Sequence, residues 1–180
     1  FHGAARTVTG SKHVLTLSDN RKVLLDCGLF QGGKELQQLN YHFGFNPMEI
    51  DALVLSHAHI DHSGLIPRLV KEGFSGPIYC SPATADLVEI LLKDSAKIQE
   101  EDTKFYNKRR EAAGKEAVKP LYTIKDVEQA LPLIVTRKLH QQFEVIPGVQ
   151  CLYTDAGHIL GSCAVNLTIE DKGKTKRICF

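Results

Sequence analysis

The chain has 180 residues, 43% of them hydrophobic, which is enough for one packed domain. Its formal net charge of +1 excludes a whole-molecule attraction to nucleic acid or to an acidic surface, so any such partner has to be met by a local patch. No apolar stretch approaches membrane-spanning length and nothing resembles a signal peptide.

In chain order, alternating apolar runs predict strands over Lys12–Leu17 and Lys22–Asp26, joined by a turn at Asp19-Asn20. A short helix is expected over Gly33–Asn40. A strand over Ala52–Ser56 runs into a histidine-rich segment, and a helix over Leu65–Glu72 leaves it. Pro77–Cys80 reads as a strand. Ser81 can then cap, and Pro82 can open, a longer helix with Leu87, Ile90, Leu91 and Ile98 as its buried stripe. Thr123 to Asp126 looks like another helix start, running to about Leu131 before Pro132. Strands over Phe143–Ile146, Val149–Thr154, Ala164–Glu170 and Lys176–Phe180 complete the pattern. No internal repeat interrupts it.

Two features along the way need weighing. Cys27, Cys80, Cys151, Cys163 and Cys179 are odd in number, lack C-x-x-C spacing and sit in apolar, strand-like contexts. They are expected to be buried free thiols in a reducing cytoplasm, not a disulfide frame or a sulfur-ligated zinc site. Between Gln99 and Lys119, Lys104, Lys108, Arg109, Arg110, Lys115 and Lys119 mix with Glu100, Glu101, Asp102, Glu111 and Glu116. Our preferred reading is a solvated helix end and a loop at Gly114, held by acid–base pairs along the helix. The alternative is a phosphate-tracking surface with Phe105 and Tyr106 as stacking platforms.

The segment His57-Ala58-His59-Ile60-Asp61-His62 carries the chemistry. Three imidazoles and a carboxylate within six positions suit a borderline divalent metal such as zinc. They are too closely spaced to share one tetrahedral site. His57 and His59 can face one ion while Asp61 and His62 reach a second, which reads as half of a two-metal hydrolytic centre. The competing reading is a histidine-rich loop that binds nothing, but a buried strand leading into the segment gives it a scaffold.

This segment resembles the metal motif of the metallo-β-lactamase superfamily. Phe1 to Ser11, with Val8-Thr9-Gly10-Ser11, is similar to the N-terminal Gly-rich loop of its β-CASP branch, the RNA- and DNA-processing nucleases. Leu24 to Gly32, with Asp26-Cys27-Gly28, resembles that branch's first Asp motif, and Ala156 to Ser162, with His158, its third motif. The likeness covers essentially the whole chain and is greatest to bacterial and archaeal ribonucleases related to the eukaryotic pre-mRNA 3′-end cleavage endonuclease. It implies an α/β (α+β) fold, the αββα metallo-β-lactamase-like sandwich. The family pattern continues with a strand ending in Ser/Thr-Gly-Asp, where this chain reaches Arg177-Ile178-Cys179-Phe180. Residues 1–180 are therefore expected to be the N-terminal half of the domain, with the β-CASP domain absent and little nuclease activity alone.

By the same resemblance His57, His59 and His158 hold the first metal, Asp61 and His62 the second, and Asp26 supports a ligating imidazole. An exposed loop histidine and a plain turn aspartate are the competing readings for His158 and Asp26. His2, His13, His42 and His140 lie outside any ligand spacing, and Thr9 and Ser11 receive no role. The implied activity is a two-metal ribonuclease, most simply loaded with zinc, with manganese or iron as alternatives. Two such ions activate a water for attack at phosphorus, and Asp61 orients that water or accepts its proton. The implied substrate is single-stranded RNA. Self-association through an open sheet edge, as a homodimer, is a further candidate state. Hydrolysis of a thioester or lactone, or a non-catalytic scaffold role in an RNA-processing complex, remain the alternative functions.

Overall fold

The computed structural model describes residues 1–180. β1 (His13–Thr16) and β2 (Lys22–Leu25) form the expected antiparallel hairpin, turning at Asp19-Asn20 with Asn20 at φ 70°. β3 (Ala52–Val54), β4 (Ile78–Cys80) and β5 (Ile134–Thr136) then add in parallel, giving a first sheet ordered β1-β2-β3-β4-β5. Parallel neighbours need crossovers. Here α1 (Lys34–Gln38) lies between β2 and β3, α2 (Ile60–Ser63) and α3 (Ile66–Lys71) between β3 and β4, and α4 (Pro82–Ala112) and α5 (Ile124–Ala130) between β4 and β5. β6 (Gln142–Ile146), β7 (Val149–Asp155), β8 (Cys163–Asp171) and β9 (Lys174–Cys179) make an antiparallel second sheet.

Alternation sorts the side chains into layers. Leu24, Leu53 and Ile78 point to a core shared with α3, α4 and α5. Val23, Leu25, Ala52 and Val54 point the other way, against Cys151, Tyr153, Val165 and Leu167 of the second sheet. The first sheet is thus buried on both faces, which is why its strands read as unbroken apolar runs. Tyr153 bridges the sheets by donating its hydroxyl to the Tyr79 carbonyl, 2.9 Å away. The result is the mixed α/β sandwich that the sequence implied, with its helical layer over the first sheet.

Several details differ from expectation. α4 is 31 residues long, about 46 Å. Its buried positions are Thr84, Val88, Leu92 and Ala96. Leu87 and Leu91 only flank that row, and Ile90 and Ile98 are 63% and 50% exposed. The expected stripe was one residue out of register. β5, a partly exposed edge strand, and α2, four residues long, carry no clear sequence signal. Four cysteines are buried and free, but Cys179 is exposed because it lies on the edge strand β9.

Lys12 is fully buried without a carboxylate beside it. Its ammonium donates to the carbonyls of Gly10 (3.0 Å) and Gly28 (2.7 Å) and lies 4.1 Å from the Phe30 ring centroid. It thereby staples the N-terminal loop to the loop after β2. Burial pushes this amine down to about 8, with Cys27 acting weakly in the opposite sense. A lysine whose folded pKa is depressed costs stability below that pKa, and the cost is relieved as pH rises towards the unfolded value. Between pH 8 and 10.5 the wild type should therefore gain stability relative to Lys12→Met, by at most about 3 kcal/mol. Paired urea melts across that range would show a constant difference if the idea is wrong.

Candidate metal centre

The centre lies where β2 and β3 end. β3 passes through Leu55 and Ser56 into His57, and His59 is the N-cap residue of α2. A helix of four residues leaves most of its carbonyls without a helical partner. The Ile60 carbonyl accepts the Gly64 N–H (2.8 Å) and also that of Leu29 (2.9 Å), and those of Asp61 and His62 accept the N–H groups of Ser11 (2.9 Å) and Cys27 (2.7 Å). The loop after β2 therefore lies against α2 so closely that a Cβ on Gly28 would sit 1.6 Å from the Asp61 carbonyl oxygen. These tertiary bonds fold a segment that has no helical signal of its own.

Asp26 is the buried hub. It has φ 56° and no exposed surface. Its Oδ1 accepts the Ser56 N–H at 2.8 Å, while Oδ2 accepts His62 Nδ1 at 2.6 Å, the Ser56 hydroxyl at 3.0 Å and the Ser11 hydroxyl at 3.3 Å. With its hydroxyl proton directed at Asp26, Ser56 can accept from His57 Nδ1, 2.9 Å away. One carboxylate thus fixes two imidazoles, His62 directly and His57 through Ser56. Both then carry their protons on Nδ1 and leave Nε2 free as an electron-pair donor.

His158 reaches the same place from the loop after β7. The loop is bolted to the first turn of α4: the Gly161 carbonyl accepts the hydroxyls of Ser81 (2.7 Å) and Thr84 (2.8 Å), and Gly161 has φ 80°. The Ser162 hydroxyl accepts the His158 N–H at 3.2 Å. His57, His59 and His158 converge, their candidate ligand nitrogens all within 4.8 Å of one another, and His158 Nε2 is 3.1 Å from His59 Nδ1. Asp61 and His62 stand beside this trio. Their Oδ2 and Nε2 atoms are 3.6 Å apart, and the His62 ring centroid is 4.0 Å from that of His57.

Electrostatics favour donor imidazoles. Burial, followed by the neighbouring His62, pushes His57 down to about 4, so it is neutral at pH 7. Burial also opposes charge on His62, but the hydrogen bond to Asp26 and the charges of Asp26 and Asp61 outweigh it and raise the pKa. Three imidazoles in one cluster, with a carboxylate and a fourth imidazole adjacent, make a donor set that fits zinc or a similar ion.

Sequence reasoning gave no role to Ser56 or Ser11, the two hydroxyls on Asp26. Ser11 lies in the Gly-rich N-terminal stretch that carried the resemblance, whereas Ser56 was read only as the end of a strand. His13 is packed edge-on between Phe1 and Phe180, at 5.1 and 5.2 Å, outside the cluster. Thr9 holds Gln31 by its backbone and does not touch Asp26.

The sequence profile described as "Metallo-beta-lactamase superfamily" matches residues 10–171. The chain belongs to that superfamily. It is 38% identical over 173 residues to "Ribonuclease TTHA0252" of Thermus thermophilus, covering 96% of this chain and 35% of that protein. It is 32% identical over 171 residues to "Transcription termination factor FttA" of Methanosarcina mazei, covering 94% of this chain and 24% of that one. The chain thus spans about a third and a quarter of these relatives. Among solved structures, the HARLDQ-motif metallo-beta-lactamase of Cronobacter sakazakii superposes with a TM-score of 0.55 at 21% identity, over 96% of this chain and 57% of that one. BJP-1, a subclass B3 metallo-beta-lactamase of Bradyrhizobium japonicum, gives 0.55 at 16%, over 96% and 55%. These two likenesses show the superfamily's fold, and the histidine cluster sits on it as a site able to hold metal.

Proposed function

We propose that this domain is the metal-binding part of a β-CASP-type ribonuclease that cleaves phosphodiester bonds in single-stranded RNA. The observation that carries the reading is the convergence of His57, His59 and His158 beside Asp61 and His62. It occurs in a chain 38% identical to a ribonuclease. His57, His59 and His158 would hold one divalent ion, and Asp61 and His62 a second, with zinc the expected metal. Bound metal supplies Lewis acidity at the phosphoryl oxygens and lowers the pKa of water towards neutrality.

The chain's own residues do the rest. Asp26 holds His62 by Nδ1, and His57 through Ser56, so that neither ring turns away when substrate arrives. The docked Gly161 carbonyl sets the position of His158. Asp61, on the first turn of α2, orients the attacking water or accepts its proton at a carboxylate oxygen. Localisation in the cytoplasm fits an RNA substrate, and no helix is long and apolar enough to cross a membrane.

The test is metal content by elemental analysis, alongside cleavage of labelled RNA by the whole protein. About two zinc ions per chain are expected. His59→Ala should lose metal and slow cleavage at least about a hundredfold, since a metal-ligand loss removes the main source of catalysis. A metal-free protein whose cleavage is indifferent to chelator would falsify the reading. Absence of both metal and cleavage would leave a scaffold role, and hydrolysis of a thioester or lactone would redirect the substrate.

A further inference from the structure

The second half of α4 leaves the body of the domain. Its buried positions end at Ala96, and no residue from 97 to 120 is buried. The return segment folds back along this arm, with the Asn107 side chain exchanging two 2.9 Å hydrogen bonds with the Val118 backbone and Arg110 Nε donating to the Glu116 carbonyl. This stretch of residues 97–120 holds seven Lys and Arg against five carboxylates, a net +2. The charge is uneven: Glu100, Glu101 and Asp102 lie towards the body of the domain, while residues 104–119 hold six cations against Glu111 and Glu116.

The acid–base pairs expected along this helix do not form here. The single ion pair within α4 is Lys93–Glu89, in its first half. Glu100, spaced to meet Lys104, instead accepts the Ile124 N–H at 3.1 Å and caps α5. The arm's cations stack on exposed rings: Arg109 lies 4.6 Å from the Phe105 centroid and Arg110 5.7 Å from that of Tyr106. Even so covered, the two aromatics remain 61% and 53% exposed. Unpaired cations interleaved with open π-faces complement a single-stranded nucleic acid, whose phosphates and bases need those two partners. At its base the arm meets a cleft of about 550 Å³ lined by Lys119, Arg68, Lys71 and Glu72, in which Arg68 is paired with Glu72 and Lys71 with Asp126, so Lys119 is the cation it adds.

We propose that this arm binds single-stranded RNA, with bases stacking on Phe105 and Tyr106 and phosphates meeting Lys104, Lys108 and Arg109. The proposal rests on the reading of the domain as RNA-directed and assigns that substrate a second contact, away from the metal centre.

Fluorescence anisotropy of the full chain with a labelled RNA of about 12 nucleotides tests it, in EDTA so that cleavage does not intrude. Lys104→Ala with Lys108→Ala should weaken binding and lower the log–log salt slope by about 1.4, two phosphate contacts' worth. Phe105→Ala with Tyr106→Ala should weaken binding about tenfold or more and leave the slope unchanged. Lys104→Arg with Lys108→Arg should bind as the wild type does, which guards against a general loss of structure. Wild-type affinity in both alanine pairs, with helicity intact by circular dichroism, overturns the arm. Failure of the unsubstituted chain to bind RNA also overturns it and leaves a protein as the arm's occupant. The ribonuclease reading fails separately: a whole protein that binds RNA through the arm but cleaves none keeps the arm and loses the activity.

Discussion

Asp26→Ala should cost about 3–5 kcal/mol of stability and about 10- to 100-fold in metal affinity. The change strands the buried Ser56 N–H and removes the shared acceptor of Ser56, Ser11 and His62. It also places alanine at φ 56°, where a β-carbon is strained. For a chain of this size the stability loss corresponds to a melting temperature lower by about 10 °C. Asp26→Asn separates the two effects. Asparagine tolerates the left-handed backbone and keeps an acceptor for the Ser56 N–H, but its NH2 donates where Oδ2 accepted. The hydroxyls must then turn and His62 must carry its proton on Nε2, which takes that nitrogen from the metal. It should lose metal affinity at least about tenfold while being destabilised less than the alanine variant. Zinc titration with a competing chelator, beside thermal melts, checks both. An alanine variant that melts and binds zinc normally would show that the hydrogen-bond chain has no such role.

Gly28→Ala is expected to be the most damaging exchange of one small residue for another. The new methyl would meet the Asp61 carbonyl oxygen at 1.6 Å and the His62 nitrogen at 2.8 Å, both backbone atoms of α2. Neither can yield without breaking the bonds from Ser11 and Cys27 that hold the short helix in place. A loss on the order of 4–5 kcal/mol follows, or failure to accumulate folded protein. Gly33→Ala is the control, since nothing lies within 4 Å of the added carbon. Soluble yield and near-ultraviolet circular dichroism of the two variants should differ sharply, and equal behaviour would contradict the close packing of loop and helix.

The contrast between these positions shows what the sequence could disclose. β2 and β3 were legible because Val23-Leu24-Leu25 and Ala52-Leu53-Val54 are buried on both faces, leaving no polar residue to blur the run. β5 was not, because Ile134 to Thr136 is only partly buried at the sheet edge and follows directly on the helical turn at Pro132. The stripe of α4 was misplaced for a different reason. Leu87 and Leu91 repeat with the same spacing as Val88 and Leu92, so periodicity alone cannot say which row faces the sheet. α2 escaped notice since the bonds that hold it against the domain come from residues 11, 27 and 29. At the centre, the local cluster was visible as spacing. The approach of His158, about 100 residues away in sequence, could be expected only from resemblance. In the charged segment the solvated helix end and the turn at Gly114 are as expected, while the pair spaced for Glu100 and Lys104 does not form because Glu100 accepts the Ile124 N–H.

One consequence of α4 concerns length. The helix runs unbroken from Thr84, which grips the loop carrying His158, to Phe105, about 21 residues further on. At 1.5 Å per residue that is about 32 Å. A strand stacked at 3.4 Å per nucleotide needs on the order of nine nucleotides to reach from one to the other. For an RNA held at both ends the helix therefore acts as a ruler. On the proposed RNA reading, a stacked oligonucleotide shorter than this would engage the centre or the arm but not both, and a longer one would gain the effective-concentration advantage of a second attachment.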